Sequence, residues 1–323
     1  MKKIMAFVLA VLLFVSVFSF LPALAEDKIS IVSTIFPTFD FARAVAGDKA
    51  DVTMLLKPGA EIHSFEPTPA DIVTLQNADV FLYIGGESDV WVDELLSSMD
   101  MSGKQVIRLM DAVTLVEEET VEGMQEEEEG HEGEETAEAE HDHEEAEYDE
   151  HIWTSPKNAV WMVNAIANAL CAADASNEEI YRNNAAAYIS QIESVDAQFD
   201  AVTQAAAHKI MVFGDRFPFR YFADEYGLQY RAAFPGCSTD TEASAATIAY
   251  LIDTVKANNL PYIYTIELSS QNIARSISEQ TGAQILTLQS CQGISRDDFQ
   301  AGETYVSLMQ KNVESLRKGL VVE

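Results

Sequence analysis

Three cysteines in 323 residues are too few for a disulfide scaffold, so the fold must rest on hydrophobic cores. Positive charge is scarce as well: 20 Lys and Arg stand against 53 Asp and Glu, for a formal net charge of −33 at pH 7. Phosphate backbones and anionic headgroups repel such a chain, because binding to either draws its strength from Lys and Arg; no nucleic-acid partner is expected. There is no His-Glu-x-x-His helix, no Gly-x-Ser-x-Gly elbow and no phosphate-cradling Gly-rich loop, which leaves catalysis without a motif. Beyond the first 25 residues no apolar run is long enough to cross a bilayer. What the chain does have is 48% apolar residues, enough to fill two domains of roughly 150 residues each.

Residues 1–25 read as a signal peptide. Lys2 and Lys3 precede an apolar run from Ile4 to Leu21, and Ala23-Leu24-Ala25 supplies the small-x-small pattern that places cleavage before Glu26. An uncleaved anchor is the alternative reading. No Cys lies near that site, so there is no lipobox cysteine to lipidate, and the mature chain is expected to be exported to the periplasm or the exterior. In an oxidising compartment Cys237 and Cys291, both in loop-like segments, are a candidate disulfide. The alternative is a thiolate beside a metal site, where it is a soft ligand. Cys171 falls within a helical pattern.

The clearest break is the segment 117–150, with 17 Glu, 2 Asp, no Lys or Arg, and His131, His141 and His143. It has almost nothing to bury against the entropy of ordering, so it is expected to be a disordered acidic insert. On either side, short β-branched runs alternate with helical patterns. Candidate strands are Ile29–Thr34, Val52–Leu56, Val80–Tyr83 and Gln105–Arg108 in the first half. Those of the second half are Ile210–Phe213, Leu228–Ala233, Tyr262–Ile266 and Ile285–Leu288. The expectation is an α/β protein of two lobes, each a four-stranded parallel sheet flanked by helices. The N-terminal lobe covers 26–176 and the C-terminal lobe 208–323, joined by a rigid connecting helix over 177–207.

Open parallel sheets bind ligands at the carboxyl ends of their strands. His63 lies in a Pro-rich loop after the second strand, and His151 follows the insert at the entry to a helix. Only six His occur in the chain. An exported acidic protein that gathers imidazoles and carboxylates in this way is suited to hold a divalent transition metal. The insert, with its three His, reads as a weak auxiliary trap that raises the local metal concentration, or as a solvating linker.

The segments Ala60 to Asp71, Gly85-Gly86-Glu87-Ser88-Asp89-Val90-Trp91 and His151-Ile152-Trp153-Thr154-Ser155-Pro156, with Glu242-Ala243-Ser244 and the run 302–312, resemble the zinc and manganese substrate-binding proteins of bacterial ABC importers, the cluster A-I family. The acidic His-containing insert resembles that of the zinc-type branch. The resemblance covers essentially the whole mature chain. It implies a monomer that carries Zn2+ (Mn2+ or Fe2+ as alternatives) to a membrane permease, without enzymatic activity. It also implies one metal held between the lobes, with His63 and His151 carrying over directly. Where the family has His-Asp after the first strand of the second lobe, this chain has Gly214-Asp215, so Asp215 and Glu267 are the candidate oxygen ligands, with Gln292 or an insert His as substitutes. A metal-dependent adhesin and an exported metallohydrolase are the alternatives from other functional classes.

Overall fold

The computed structural model describes residues 28–62, 65–124, 147–238 and 242–321. The leader, His63, and the insert residues His131, His141 and His143 lie outside the described residues.

In the N-terminal lobe, β1 (Ile29–Ser33), β2 (Ala50–Met54), β3 (Val80–Tyr83) and β4 (Gln105–Arg108) form a parallel sheet in the order β2-β1-β3-β4. Helices α1 (Phe36–Ala46), α2 (Pro69–Gln76) and α3 (Val90–Ser98) connect its strands. Two helices follow, α4 (Pro156–Ala173) and α5 (Glu178–Gln204). The C-terminal lobe repeats the plan with β5 (Ile210–Arg216), β6 (Gln229–Phe234), β7 (Tyr262–Ile266) and β8 (Gln284–Leu288), in the order β6-β5-β7-β8. Its helices are α6 (Arg220–Tyr226), α7 (Ala245–Ala257), α8 (Asn272–Thr281), α9 (Arg296–Ala301) and α10 (Tyr305–Leu320). Central strands are apolar on both faces because helices cover both sides: all four residues of β3 are buried. In each sheet the winding reverses next to the first strand, so a crevice opens at the carboxyl ends of β1 and β3, and of β5 and β7.

Helix α5 has 27 residues, about 40 Å at 1.5 Å per residue. It is shorter at both ends than the 177–207 expected. Asp174 interrupts the chain before it, accepting hydrogen bonds from Asn177 Nδ2 (2.6 Å) and the Tyr181 hydroxyl (2.8 Å). After it, the backbone N–H groups of Ala207 and His208 turn away to donate to Leu320 O at the end of α10. The first half of α5 ties to the N-terminal lobe, with Asn184 Nδ2 donating to Val45 O at 3.0 Å. Its second half ties to the C-terminal lobe, where Gln198 and Gln310 pair at 2.9 Å.

The largest apolar cluster runs through both lobes, taking in Ile31 and Phe41, Tyr181 and Phe199 of α5, and Tyr264, Tyr305 and Leu316. A shared core of this kind opposes hinge motion. Asp40, buried in α1, is its polar knot. It accepts from Arg43 Nε (2.7 Å), from Tyr305 N at the start of α10 (2.8 Å) and from the Tyr188 hydroxyl of α5.

The ends of the acidic insert are ordered, which departs from the expected disorder over 117–150. Glu117 and Tyr148 form an antiparallel bridge, flanked by Glu118 N to Glu147 O (2.9 Å) and Asp149 N to Val116 O (3.0 Å). Val121 and Met124 reach the main core, and Asp149 and Glu150 are buried. Backbone pairing and two apolar anchors offset the charge repulsion there.

Candidate metal centre

His151 is fully buried at the start of a short 3-10 turn, Ile152–Thr154. Its position is fixed from three directions. Asp149 Oδ1 accepts from the His151 backbone N–H (2.8 Å) and lies 3.1 Å from its Nδ1. The ring leans on Trp153, centroids 5.5 Å apart, and Trp153 Nε1 donates across to Ser290 O in the C-terminal lobe at 2.7 Å. The Tyr221 hydroxyl in turn donates to Asp149 O at 2.8 Å. A carboxylate on one imidazole nitrogen sets the tautomer and directs the other nitrogen, Nε2, to coordination.

Glu150, His151 and Cys237 present ligand atoms that all lie within 4.8 Å of one another, and they form the group of this kind found among the described residues. Glu150 is held by Ser88, whose backbone N–H donates to Oε2 at 2.9 Å and whose hydroxyl pairs with Oε1. That approach requires Gly86: at φ +87° a Cβ there would lie 2.8 Å from Glu150 Cβ. Asp89 shapes the same turn by accepting from the N–H groups of Ile84 (2.9 Å) and Gly85 (3.0 Å). Burial pushes its carboxyl up to about 7, against those two hydrogen bonds. The Gly85–Trp91 segment thus acts by presenting Glu150.

The field around His151 is negative. Burial lowers its affinity for protons, but Asp149, Glu150 and Glu118 outweigh this and raise its pKa above the usual imidazole value. Burial and the neighbouring Asp149 push the Glu118 carboxyl up to about 7. Burial, followed by the charges of Glu150 and Glu118, holds the Cys237 thiol well above its usual range. A site that binds protons this strongly is one where a divalent cation can replace them.

The other expected residues lie nearby, with different partners. Glu267, just beyond β7, is partly buried, and both its oxygens accept from Ser290, from N–H and hydroxyl at 2.6 Å each. Burial raises its pKa. Asp215 lies inside β5, which runs three residues past the expected end and shifts register between Phe213 and Arg216. Its Oδ1 accepts from Arg216 N at 2.9 Å, and burial raises its carboxyl above the usual range, against hydrogen bonds from the Ser269 side chain and the Arg216 and Ile266 backbone. Gly214 cannot carry the side chain the family pattern expects, since a Cβ there would come within 2.6 Å of the Ala274 backbone in α8. A small cleft opens between Glu61 and Ile62 of the N-terminal lobe and Arg216, Glu267 and Gln292 of the C-terminal lobe. His63 follows Ile62 directly. The structure does not pair Cys237 with Cys291. Both are free cysteines; Cys291 is buried with Sγ directed to Gln289 O, whereas Cys237 faces His151 and Glu150.

Glu150 is the ligand candidate that sequence reasoning missed. Its one local signal is its position next to His151, and by composition it is indistinguishable from the acids of the insert.

Two parallel α/β sheets with a polar interlobe cleft, a buried imidazole and a spanning helix define the class of two-lobed substrate-binding proteins. The family described as "Zinc-uptake complex component A periplasmic", ZnuA, matches residues 31–319, and the chain belongs to that family. It is 34% identical over 294 residues to the zinc-binding lipoprotein AdcA of Streptococcus pneumoniae (strain R6), covering 91% of this chain and 56% of that protein. The chain thus spans little more than half the length of AdcA. To the high-affinity zinc uptake system protein ZnuA of Bacillus subtilis it is 32% identical, covering 92% of this chain and 89% of that protein. Among solved structures, the Zn(II)-bound ZnuA-like domain of S. pneumoniae AdcA superposes with a TM-score of 0.73 at 31% identity, covering 91% of this chain and all of that one.

Proposed function

We propose that this protein captures a zinc ion between its lobes outside the cytoplasm and delivers it to the permease of an ABC importer. One observation carries this reading: a fully buried His151, oriented by Asp149, shares its surroundings with Glu150 and Cys237 at ligand spacing. His63 is the second imidazole, supported by the cleft position of Glu61 and Ile62 just before it. Asp215 and Glu267 supply negative charge at the strand ends, and the insert His131, His141 and His143 act as an auxiliary trap. The role is carriage rather than turnover, as befits a family of uptake components. No helix among the described residues is long and apolar enough to cross a membrane; we read the chain as exported and monomeric. Manganese is the competing cargo, and the imidazoles favour zinc.

Calorimetry of the chain lacking residues 1–25 tests this. One zinc ion should bind tightly, and His151→Ala should weaken binding by at least about 100-fold. Unchanged affinity in that variant would overturn the reading. Protons compete for the same imidazoles, so affinity should also fall with pH.

A further inference from the structure

Cys237 follows directly on β6 in the segment Phe234-Pro235-Gly236-Cys237-Ser238. Its placement beside His151 is built by the backbone on both sides. Gly236 packs so closely on the imidazole that a Cβ there would lie 2.9 Å from His151 Cε1. Any other residue at 236 would push the loop, and Cys237 with it, away from the ring. On the far side, Arg216 donates to Ser238 O at 3.1 Å while its guanidinium pairs with both oxygens of Glu61 at 3.0 and 3.3 Å. One cation thus ties the Cys237 loop to the loop that leads into His63. The Cys237 backbone N–H also meets the Glu118 carboxylate. Three contacts hold this loop against the imidazole, and the thiol lies at ligand spacing from a nitrogen and a carboxylate.

We infer that Cys237 is a metal ligand, so that the cargo is held by a thiolate together with the imidazole of His151. On binding, the S–H proton passes to solvent and an S–metal bond replaces it; no oxidant or reductant is involved. The consequence is selectivity. Thiolate is a soft donor that suits zinc, whereas manganese prefers oxygen ligands. A sulfur ligand in this position therefore separates the two cations more sharply than imidazoles and carboxylates alone. This inference rests on the zinc-carrier reading and adds a donor to that same site.

The test is X-ray absorption of the zinc-loaded protein, combined with competitive zinc and manganese titrations of Cys237→Ser, Cys171→Ser and Cys291→Ser variants. The expected spectrum contains one sulfur scatterer at about 2.3 Å. That shell should vanish in Cys237→Ser and persist in the other two variants. The zinc-over-manganese preference of Cys237→Ser should fall by about tenfold or more. Circular dichroism of each variant checks that the fold is retained, and cobalt substitution gives a second readout through the sulfur-to-metal charge-transfer band, which Cys237→Ser should abolish. A wild-type spectrum with nitrogen and oxygen only, together with unchanged preference in Cys237→Ser, would overturn the thiolate and leave the zinc carrier standing. Failure of the wild type to bind zinc, or full affinity in His151→Ala, would instead remove the reading beneath it.

Discussion

Asp89 is a buried carboxyl with no cation beside it, and it shows how the site's scaffold responds to pH. Its pKa stands near 7 against an ordinary value of 3.8. The folded state therefore holds this proton more tightly than the unfolded chain does. The associated stability is fully present below about pH 4 and is lost as pH rises through 7. Asp89→Asn stays neutral and still offers an acceptor to the N–H groups of Ile84 and Gly85. Relative to wild type, its stability should improve steadily between pH 4 and 8, by about 2–4 kcal/mol in total. Denaturant melts across that range would show it; a difference independent of pH would contradict the assignment. Gly86 answers to sterics instead: Gly86→Ala should cost about 1–3 kcal/mol and displace Glu150, with weakened zinc binding as the second readout.

Helices α1, α5 and α10 come from different parts of the chain, and Asp40 joins all three through Tyr188, Tyr305 and its own Arg43. Removing the carboxylate leaves buried donors on each. Asp40→Ala should lower stability by about 3–5 kcal/mol, measured by chemical denaturation. The strands themselves were legible in the sequence, because β-branched runs are local properties; β3, β4 and β7 begin and end where those patterns do. What depends on distant contacts was not. Nothing near Asp215 reveals that β5 continues past Phe213, since that extension is set by pairing with Phe234. His151 could be read from its place before a helix start. Its neighbours Glu150 and Cys237 could not be read as a pair, because 86 residues lie between them in the chain and contacts distant in sequence, among them the packing of Gly236 on the imidazole, bring them together. The ordered ends of the insert were hidden for a related reason: their charge is a local signal, while the bridge between Glu117 and Tyr148 spans the segment.

At the level of the whole molecule, ligand binding should appear as added stability. A cation that binds only the folded state stabilises it by about 2.7 kcal/mol at a hundred times its dissociation constant. Zinc should raise the melting temperature of the wild type and raise that of His151→Ala far less. Deleting residues 125–146 keeps the bridge at Glu117 and Tyr148 and the anchors Val121 and Met124, so the tight site should survive with the number of weakly bound ions reduced. Equal numbers of bound ions with and without that segment, in equilibrium dialysis, would contradict the trap.

The apolar cluster that passes from Ile31 through Phe199 to Leu316 has a further consequence for how the molecule comes apart. Neither half owns a complete interior, so each, if produced separately, would expose the surface its counterpart normally shields and would aggregate rather than fold. Heating the intact chain should then give one cooperative transition in calorimetry, and release of the proposed cargo would proceed by rearrangement of the loops at the strand ends rather than by gaping of the halves.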